Sequence, residues 1–405
     1  MKVVLISPHY PAEMPDFTRG LADVGAQIIG VGDTPREGLP AGVRQHLAAY
    51  LRVSALFDEG RVLAELVPEL RRVGVDRIEA LWEPCVLLAA RLREALGVPG
   101  MSVDTAMAFR DKTLMRARLA AAGLRVPKNA RARSAAEALA AARAIGYPIC
   151  VKPVAGAGSA DTHGCVDEPS LRAALSTMGH VPELSVEEFI TGDEFTYDTV
   201  CVEGVPAFES VAQYHPRPLE ARSQEWISPA QIVFRDPHHP ALMDGVRLGR
   251  GVLKALGMGT GFTHMEWFRK PDGEVVFGEI AARFPGAKLV DQMNYANDFD
   301  VFREWARAVC WHSFEATPQR RYHVAAVFKR ALGRGRITRV EGLGALRARC
   351  GPRLIAEELL PIGHPRRDWK KTLLSDGCVI MRDPDYAACL DMMQAAVRDL
   401  RVYAE

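Results

Sequence analysis

Hydrophobic and polar positions follow two different periods along the first quarter of the chain. Short apolar runs predict three strands, and segments with a helical repeat predict three helices: strands at 3–7, 27–31 and 77–82, and helices at 16–24, 59–73 and 86–96. Strands that alternate with helices are typical of a parallel, doubly wound sheet, which binds its ligands beyond the carboxyl ends of its strands. The residues at the carboxyl ends of the first and third strands are Ser7, Pro8, His9 and Glu83.

The pattern changes after residue 105, where a second unit is predicted. A helix is predicted from Phe109 to Leu124. The segment Ser134-Ala-Ala-Glu137 has the form of a capping box, which predicts the start of the next helix. A later helix, at 242–256, leads into the pair of strands that carries the strongest chemical candidates.

A strand at 149–153 carries Lys152 and leads directly into a loop of small residues that includes Gly156, Gly158 and Ser159. Backbone N–H groups of such a loop can approach phosphate oxygens, with the ammonium group beside them. The lysine precedes the glycines, so the segment is not a Walker loop. The alternative is an ordinary glycine-rich turn.

Two acidic segments flank a predicted turn at Gly192. A strand at 184–191 contains Glu187, and Glu194 follows the turn. A carboxylate with neighbouring backbone groups can bind an adenine edge, and a second acid after the turn can accept ribose hydroxyls. The alternative is a solvated sheet edge.

Residues 263–286 predict a β-hairpin with its turn at 270–273. The strand period of two places Glu266 and Glu279 on the same face, either opposite or diagonal, at roughly 5 to 8 Å. Two carboxylates this close repel each other unless they share a cation or a proton, and Mg²⁺ accepts such oxygen ligands. The alternative is a solvated hairpin face.

The composition excludes several classes of partner. The 405 residues exceed the size of one hydrophobic core, which predicts two or three domains. Lys plus Arg total 51 and Asp plus Glu total 50, so no overall field recruits nucleic acid or an acidic membrane. The first apolar run is too short for a signal peptide or a membrane span. The eight cysteines lack C-x-x-C spacing, which favours free thiols in a reducing cytoplasm over a zinc site.

The chemical candidates occur in the order and approximate spacing of a known superfamily. Over about residues 106–310 the sequence resembles the ATP-grasp superfamily. The resemblance is carried by Lys112, Lys152, the loop from Gly156 to Ser159, Glu187-Glu188-Phe189-Ile190, Glu194, Glu266 and Glu279. It implies an α/β (α+β) protein with three parts: an N-terminal doubly wound parallel-sheet domain (1–105), central ATP-grasp lobes (106–310, lid lobe about 125–190) and a small C-terminal α+β domain (311–405).

The resemblance also implies roles for these residues around ATP and two Mg²⁺ ions, with Mn²⁺ as the alternative ion. Lys112 and Lys152 would contact the phosphates, and the loop with Gly156, Gly158 and Ser159 would close over them. The remaining implied roles are adenine binding by Glu187 and by the backbone of Glu188, Phe189 and Ile190, ribose binding by Glu194, and metal binding by Glu266 and Glu279.

The chain departs from the superfamily pattern at two positions. Ala281 stands where many relatives have an asparagine metal ligand, which predicts a second ion that is bound more weakly. His264 stands where some relatives have an arginine, two residues before the first metal acid. Arg283 matches the arginine of E-x-N-x-R members and is expected to stabilise charge during the reaction.

The segment 311–405 resembles the carboxyl-terminal domain of ATP-grasp L-amino-acid ligases and carnosine-synthase-like enzymes. In those enzymes a glutamate in a loop before a proline contacts the substrate amine. Glu225, ahead of Pro229, is the candidate here, and Ser228 stands where a histidine is common.

The resemblance implies an ADP-forming carboxylate-amine ligase. A carboxylate, from an amino acid or a related small acid, would become an acyl phosphate, and an amine would displace the phosphate. Two alternatives stay open: a bicarbonate-activating enzyme and a nucleotide-binding regulatory protein. The expected partners are these small molecules, without nucleic acid or membrane, and a homodimer is the default assembly.

Overall fold

The structure, a computed structural model, describes residues 1–154 and 162–405. The predicted phosphate loop with Gly156, Gly158 and Ser159 therefore lies outside the described residues. The chain begins with alternating strands and helices: β1 (Lys2–Ile6), α1 (Met14–Asp23), β2 (Gln27–Gly32), α2 (Ala41–Arg44), β3 (Leu47–Arg52), α3 (Glu59–Val73), β4 (Arg77–Ala80) and α4 (Val86–Leu96).

These strands form the predicted parallel sheet, in the order β3-β2-β1-β4. Helix α1 packs on one face, and α3 and α4 cover the other. The sequence pattern missed β3, whose Leu47-Ala-Ala-Tyr-Leu-Arg52 run is only partly buried and lacks β-branched residues. A 3₁₀ turn at Glu83–Cys85 follows β4 at the carboxyl edge of the sheet.

The single helix predicted from Phe109 to Leu124 is wrong, since the structure has two helices there: α5 (Val103–Arg110) and α6 (Lys112–Ala121). The break is at Asp111, whose backbone is extended. Its carboxylate accepts hydrogen bonds from the N–H groups of Thr113 and Leu114, at 2.8 and 2.9 Å. Asp111 therefore caps a new helix and fixes where Lys112 begins it.

The predicted lid lobe is an antiparallel sheet in the order β5-β8-β6-β7, with helices α7 and α8 packed on it. Only half of the predicted capping box forms: the Ser134 hydroxyl accepts from the Glu137 N–H, but the Glu137 carboxylate accepts from the Arg133 N–H. The elements are β5 (Asn129–Ala132), α7 (Ala135–Ile145), β6 (Ile149–Pro153), β7 (His163–Cys165), α8 (Glu168–Thr177) and β8 (Leu184–Glu188).

The largest sheet is antiparallel and has eight strands in the order β13-β12-β9-β10-β11-β14-β18-β17. It combines strands from both sides of residue 310, so one continuous sheet crosses the predicted boundary between the central and C-terminal domains, and the domain limits stay predictions. The elements up to that point are β9 (Asp193–Val202), β10 (Val205–His215), α9 (Pro218–Ala221), β11 (Ala230–Val233), α10 (Met243–Leu256), β12 (Gly261–Arg269), β13 (Val275–Ala281), α11 (Leu289–Asn297) and α12 (Val301–Trp311).

The C-terminal segment adds three strands to that sheet and forms a small sheet of its own, β15-β19-β16. Helix α14 packs on the shared sheet through an apolar cluster that includes Met392 and Met393. The elements are β14 (His323–Phe328), β15 (Leu332–Gly333), β16 (Ile337–Glu341), α13 (Leu343–Cys350), β17 (Leu354–Leu359), β18 (Gly377–Asp383), α14 (Tyr386–Asp399) and β19 (Arg401–Ala404).

The N-terminal sheet is joined to the central part through helix α1. The Phe17 ring lies 4.7 Å from the ring of Phe284 and 5.1 Å from that of Trp305, all measured between centroids. A Cβ on Gly20 would lie 2.5 Å from the carbonyl oxygen of Phe302, so α1 and α12 pack backbone to backbone. This contact holds the carboxyl edge of the parallel sheet beside the β12–β13 hairpin.

All eight cysteines are free, and all except Cys150 are buried. Burial raises the pKa of Cys85 and Cys378 to about 12, which keeps both thiols protonated at neutral pH. They therefore fill space in the core.

Among the described residues, no helix has the length and apolar character required to cross a membrane.

Helix α10 approaches the large sheet through glycines. A Cβ on Gly245 would lie 2.2 Å from the Trp267 ring, and one on Gly249 would lie 2.2 Å from the Tyr197 ring. Both rings are fully buried and have no room to move. The glycines therefore set the distance between α10 and the sheet.

We expect Gly249→Ala to lower the free energy of unfolding by about 1–3 kcal/mol, because an added methyl group forces the helix away from Tyr197. Gly251→Ala, in the same helix, is the matched control, since its Cβ would meet only the flexible end of Leu124. Denaturant unfolding of both variants checks this expectation. Equal effects of the two substitutions would contradict it.

Candidate active site

The two glutamates of the hairpin lie directly opposite each other, as one of the two predicted registers requires. Glu266 of β12 pairs with Glu279 of β13, and the register shifts at the next position, where Gly278 is the extra residue. A Cβ on Gly278 would lie 2.8 Å from the Glu266 carbonyl oxygen. The bulge therefore depends on glycine, and the two carboxylates share one face of the sheet.

A buried hydrogen-bond chain continues the same face onto β9. The Nδ1 atom of His264 lies 2.6 Å from Oδ1 of Asp198, and the Thr196 hydroxyl donates to Oδ2 of Asp198 at 2.7 Å. A carboxylate only accepts, so Nδ1 of His264 carries the proton and Nε2 points away. That Nε2 lies 3.8 Å from Oε1 of Glu266. Asp198 thus orients His264 toward the paired glutamates.

The electrostatics at Glu266 suit a cation. Burial raises the pKa of Glu266, and the negative charge of Glu279 raises it further, against the opposing effect of His264. The Tyr214 hydroxyl approaches Oε1 at 3.4 Å. A divalent cation between the two carboxylates would relieve both the desolvation and the repulsion, and oxygen ligands of this kind fit Mg²⁺.

The ligand set contributed by the protein is small. Ala281 lies across the hairpin from His264 and contributes no ligand atom. Among residues 1–154 and 162–405, no group of three His, Cys, Asp or Glu side chains is arranged to hold a metal. The pair Glu266 and Glu279 therefore fits an ion that completes its coordination with water and phosphate oxygens.

Each of the two predicted phosphate-binding lysines contacts one of the predicted site glutamates. Lys112 Nζ lies 2.9 Å from Oε2 of Glu279, and Lys152 Nζ lies 2.8 Å from Oε2 of Glu187. Lys112 is the first residue of α6, directly after the Asp111 cap, and Lys152 lies on β6. Lys112 therefore lies beside Glu279, one of the two predicted metal ligands. Lys152 lies beside Glu187, the residue predicted to bind adenine.

Glu187 forms a buried ionic cluster. Arg116 donates to Oε2 at 2.8 Å and forms an ion pair with Oε1 at 2.7 Å, and the Ser185 hydroxyl donates to Oε1 at 2.8 Å. Burial opposes ionisation of Glu187, but the hydrogen bonds and charges of Arg116 and Lys152 outweigh it and lower the pKa to about 2. Glu187 is therefore a fixed anion at neutral pH.

In the segment predicted to hold adenine, residues 187–190, several polar groups form hydrogen bonds with other parts of the protein. The N–H of Glu188 donates to the Lys128 carbonyl, and the N–H of Phe189 donates to the Pro148 carbonyl. The Glu188 carboxylate accepts from Arg125 at 2.6 Å. The roles of these residues toward adenine stay predictions.

Arg217, which sequence reasoning missed, occupies the predicted ribose end of the site. It donates to Glu194 Oε2 at 3.1 Å and to the Ile190 carbonyl at 2.8 Å. Its guanidinium lies over the rings of Phe189 and Phe268. Burial and the charge of Glu266 raise the pKa of Glu194, against the opposing charge and hydrogen bond of Arg217.

Arg283 joins the hairpin to the N-terminal sheet. Its Nε donates to Oε2 of Glu83 at 2.9 Å, and its Nη1 donates to the Phe284 carbonyl at 2.6 Å. The other Glu83 oxygen accepts from Arg110 at 2.5 Å. Glu83, predicted at the carboxyl end of a strand, thus lies between two guanidinium groups, and the charge of Arg283 acts to lower the pKa of Glu266, which burial raises.

Glu225 lies against the C-terminal segment. Its Oε1 accepts from Arg366 at 2.7 Å, and Arg330 donates to the carbonyls of Ala221 and Gln224 in the same loop. These contacts anchor the loop before Pro229. The predicted contact of Glu225 with a substrate amine stays a prediction.

The sequence pattern marks Asp198 as a site residue but does not mark Arg217. Asp198 shares a face of β9 with Glu194 and Thr196, and the intervening positions are Phe195 and Tyr197. That alternation of polar and aromatic residues indicates a strand with one polar face, on which Asp198 lies. Arg217, in contrast, follows β10 in an irregular segment, and no periodicity marks it.

The Glu187 cluster predicts a pH-dependent loss of stability. Because its pKa is lowered on folding, its ionisation stabilises the protein above the unfolded pKa, and this stabilisation is lost as pH falls toward about 2. The difference in free energy of unfolding between wild type and Glu187→Gln should shrink by about 2 kcal/mol from pH 6 to pH 3. Denaturant titrations at both pH values measure it, and a constant difference would refute the assignment.

Two family models match separate parts of the chain. Residues 22–100 match the model described as ATP-grasp N-terminal domain. Residues 111–192 match the model described as carbamoyl-phosphate synthase L chain, ATP binding domain. The second match contains the two lysines and the segment from Glu187 to Ile190.

Among curated proteins, the chain is 28% identical over 257 residues to an L-arginine-specific L-amino acid ligase of Bacillus subtilis, covering 62% of this chain and 61% of that protein. It is 25% identical over 282 residues to an alanine–anticapsin ligase of Bacillus subtilis strain 168, covering 62% and 58%. The chain thus spans less than two thirds of the length of these relatives.

Solved structures match over the whole chain. An L-amino acid ligase from Bacillus licheniformis gives a TM-score of 0.77 at 18% identity and covers 100% of this chain and 98% of that one. An N5-carboxyaminoimidazole ribonucleotide synthetase from Thermotoga maritima gives 0.70 at 19% identity and covers 100% and 99%. The predicted fold is thereby confirmed: residues 22–100 match an ATP-grasp N-terminal domain, and the solved structure of an L-amino acid ligase shares the fold over the whole chain.

Proposed function

We propose that the protein is an ADP-forming ligase, which activates a small carboxylate with ATP and joins it to an amine as an amide. The observation that carries this proposal is the direct opposition of Glu266 and Glu279, with Lys112 on one side and the Arg283–Glu83 pair nearby. Such a site could surround a phosphoryl group with groups that neutralise its charge. Phosphoryl transfer then needs no covalent nucleophile from the protein.

Glu266 and Glu279 are the residues that would hold Mg²⁺, which would neutralise charge on the phosphate oxygens of ATP. Lys112 and Lys152 would exchange their present carboxylate partners for phosphate oxygens. His264, oriented by Asp198, would present its Nε2 to the transferring phosphoryl group. Glu194 would bind the ribose, which requires Arg217 to leave its carboxylate.

The chemistry proceeds in two steps. A carboxylate oxygen of the first substrate attacks the γ-phosphorus, the bond to the β-phosphate oxygen breaks, and ADP leaves. The amine nitrogen of the second substrate then attacks the acyl carbon, phosphate leaves, and the nitrogen loses a proton. Arg283 would hold the carboxylate and later the acyl phosphate, since a guanidinium group matches both planar oxygen pairs.

The relatives support an amino acid as one substrate, because both named relatives are ligases of amino acids. The eight free thiols and the use of ATP support a cytoplasmic location. A bicarbonate-activating enzyme is the second candidate, since a carboxyaminoimidazole ribonucleotide synthetase shares the fold over the whole chain.

The proposal is tested by phosphate release from ATP and Mg²⁺ with the twenty amino acids, singly and in pairs. We expect release that requires a pair, with a product lighter than the two substrates by one water. Release that requires bicarbonate and no amino acid would favour the second candidate. ATP binding without release under any of these conditions would overturn both.

Arg283→Ala should lower turnover by at least about 100-fold while ATP binding changes little, because the group acts on the transition state. Arg110→Ala is the matched control, since Arg110 binds the other oxygen of the same Glu83. Turnover by the control should stay within about tenfold of wild type. Similar losses in both variants would mean that Arg283 acts only by fixing Glu83.

A further inference from the structure

Three aromatic side chains meet at the carboxyl edge of the parallel sheet. Tyr10 follows β1, Phe57 follows β3 and Trp82 follows β4. The centroids of Tyr10 and Trp82 are 4.7 Å apart with an interplanar angle of 76°, and those of Phe57 and Trp82 are 5.1 Å apart at 69°. Two rings thus stand nearly perpendicular to a third, and we call these three residues the aromatic cluster.

The cluster is exposed although the loops that carry it are well anchored. Tyr10 is 52% exposed and Phe57 is 60% exposed. The loop of Tyr10 starts at the buried Ser7, which has a φ of 55° and whose hydroxyl donates to the Tyr10 carbonyl at 2.7 Å. The Thr18 hydroxyl holds the same loop by donating to the Pro8 carbonyl at 2.8 Å. A backbone strained in this way persists only where the surroundings enforce it, and such positions concentrate at functional sites.

The loop of Phe57 is held in a similar way. The hydroxyl and N–H of Ser54 donate to the Glu65 carboxylate at 2.5 and 3.1 Å, and the N–H of Asp58 donates to the Ala55 carbonyl at 3.0 Å. The Phe57 ring is therefore presented to solvent by a defined turn. An exposed group of aromatic rings on rigid loops is a feature of ligand-binding surfaces.

The cluster adjoins the proposed reaction centre. Trp82 directly precedes Glu83, whose carboxylate contacts Arg283 at 2.9 Å. His9, next to Tyr10, has a buried Nδ1 that lacks a hydrogen-bond partner among the described residues. The aromatic cluster is therefore linked to Arg283 through Glu83, the residue after Trp82, and an unpartnered ring nitrogen lies beside Tyr10 in the chain.

Next to Trp82, the charges of the groups that contact Glu83 favour a neutral ring over a cation. Glu83 is shared between Arg283 and Arg110, so this group of three carries a net positive charge. That charge repels a cationic side chain, whereas an aromatic ring can pack edge to face against Trp82 or its neighbours at no electrostatic cost.

We propose that the aromatic cluster is a specificity subsite for an aromatic side chain on the substrate that Arg283 holds. The inference rests on the proposed function for the role of Arg283. Tyr10, Phe57 and Trp82 would receive the ring, and the acyl carbon would lie toward the paired glutamates. The substrate class is then an aromatic amino acid or an arylalkanoic acid.

Calorimetric titration in the presence of MgADP tests the subsite without requiring turnover. The probes are L-phenylalanine and 3-phenylpropanoate, compared with L-leucine, L-arginine and 3-cyclohexylpropanoate. We expect each phenyl probe to bind the wild type at least roughly fivefold more tightly than its nonaromatic counterpart, since aromatic pairs contribute beyond buried area. Equal binding of phenyl and cyclohexyl probes, tighter binding of arginine, or no binding of any probe would overturn the proposal.

Phe57→Leu and Tyr10→Leu should each weaken binding of the phenyl probes at least roughly fivefold and leave the cyclohexyl probe almost unchanged. Trp311→Leu is the matched control, because Trp311 is a 47% exposed aromatic residue at the end of α12. Unfolding curves of the three variants check that each is folded. An unchanged preference for phenyl in both cluster variants would overturn the subsite.

The two proposals fail separately. Selective binding of the phenyl probes, together with no amide product from any amino acid pair, would retain the aromatic subsite and remove the ligase. Amide formation from non-aromatic amino acids, without any preference for phenyl in the titrations, would retain the ligase and remove the subsite.

Discussion

The repulsion between Glu266 and Glu279 is the constraint around which the site is arranged. Direct opposition in an antiparallel pair places two like charges on neighbouring strands, which destabilises a sheet unless positive groups compensate. Lys112 supplies one such charge at 2.9 Å, and His264 lies near the other carboxylate. These positive groups offset part of the repulsion, and the same pair of carboxylates suits a cation and the phosphates that accompany one.

Several of the predicted ligand-binding groups already have oppositely charged partners within the protein. Lys152 and Arg116 bind Glu187, Arg217 binds Glu194, and Arg283 binds Glu83. Leaving a buried charge without a partner is costly, so these pairs offset the cost of burying their charges. Under the proposed function, nucleotide binding is an exchange of ion-pair partners, in which phosphates would replace some carboxylates beside the lysines and Arg217 would give way to ribose.

The N-terminal sheet contributes to the site because of its packing. The Phe17 contacts and the close approach of α1 to α12 at Gly20 hold its carboxyl edge against the hairpin. Glu83 is thereby brought within hydrogen-bond distance of Arg283, 200 positions away in the sequence. The same packing brings Glu83, and with it the neighbouring Trp82 of the aromatic cluster, to Arg283, so one interface joins the groups that we propose react to the surface that we propose selects a substrate.

The sequence by itself determined the features that depend on local rules. The period of two and the turn at 270–273 placed Glu266 and Glu279 on one face, and the alternation of strands and helices predicted the parallel sheet. Local patterning also located β6 and α4, whose observed limits agree with the predicted ones. Periodicity alone failed at Asp111, because this side chain caps α6 and so divides the single predicted helix into two.

Tertiary structure alone decided which charges meet. The pairs of Arg217 with Glu194, Arg116 with Glu187 and Arg283 with Glu83 join residues 23, 71 and 200 positions apart. Long side chains with several rotamers can reach many partners, and only the packing of distant strands and helices selects among them. The sequence therefore determined which groups the site has available, and the fold determined which of them act together.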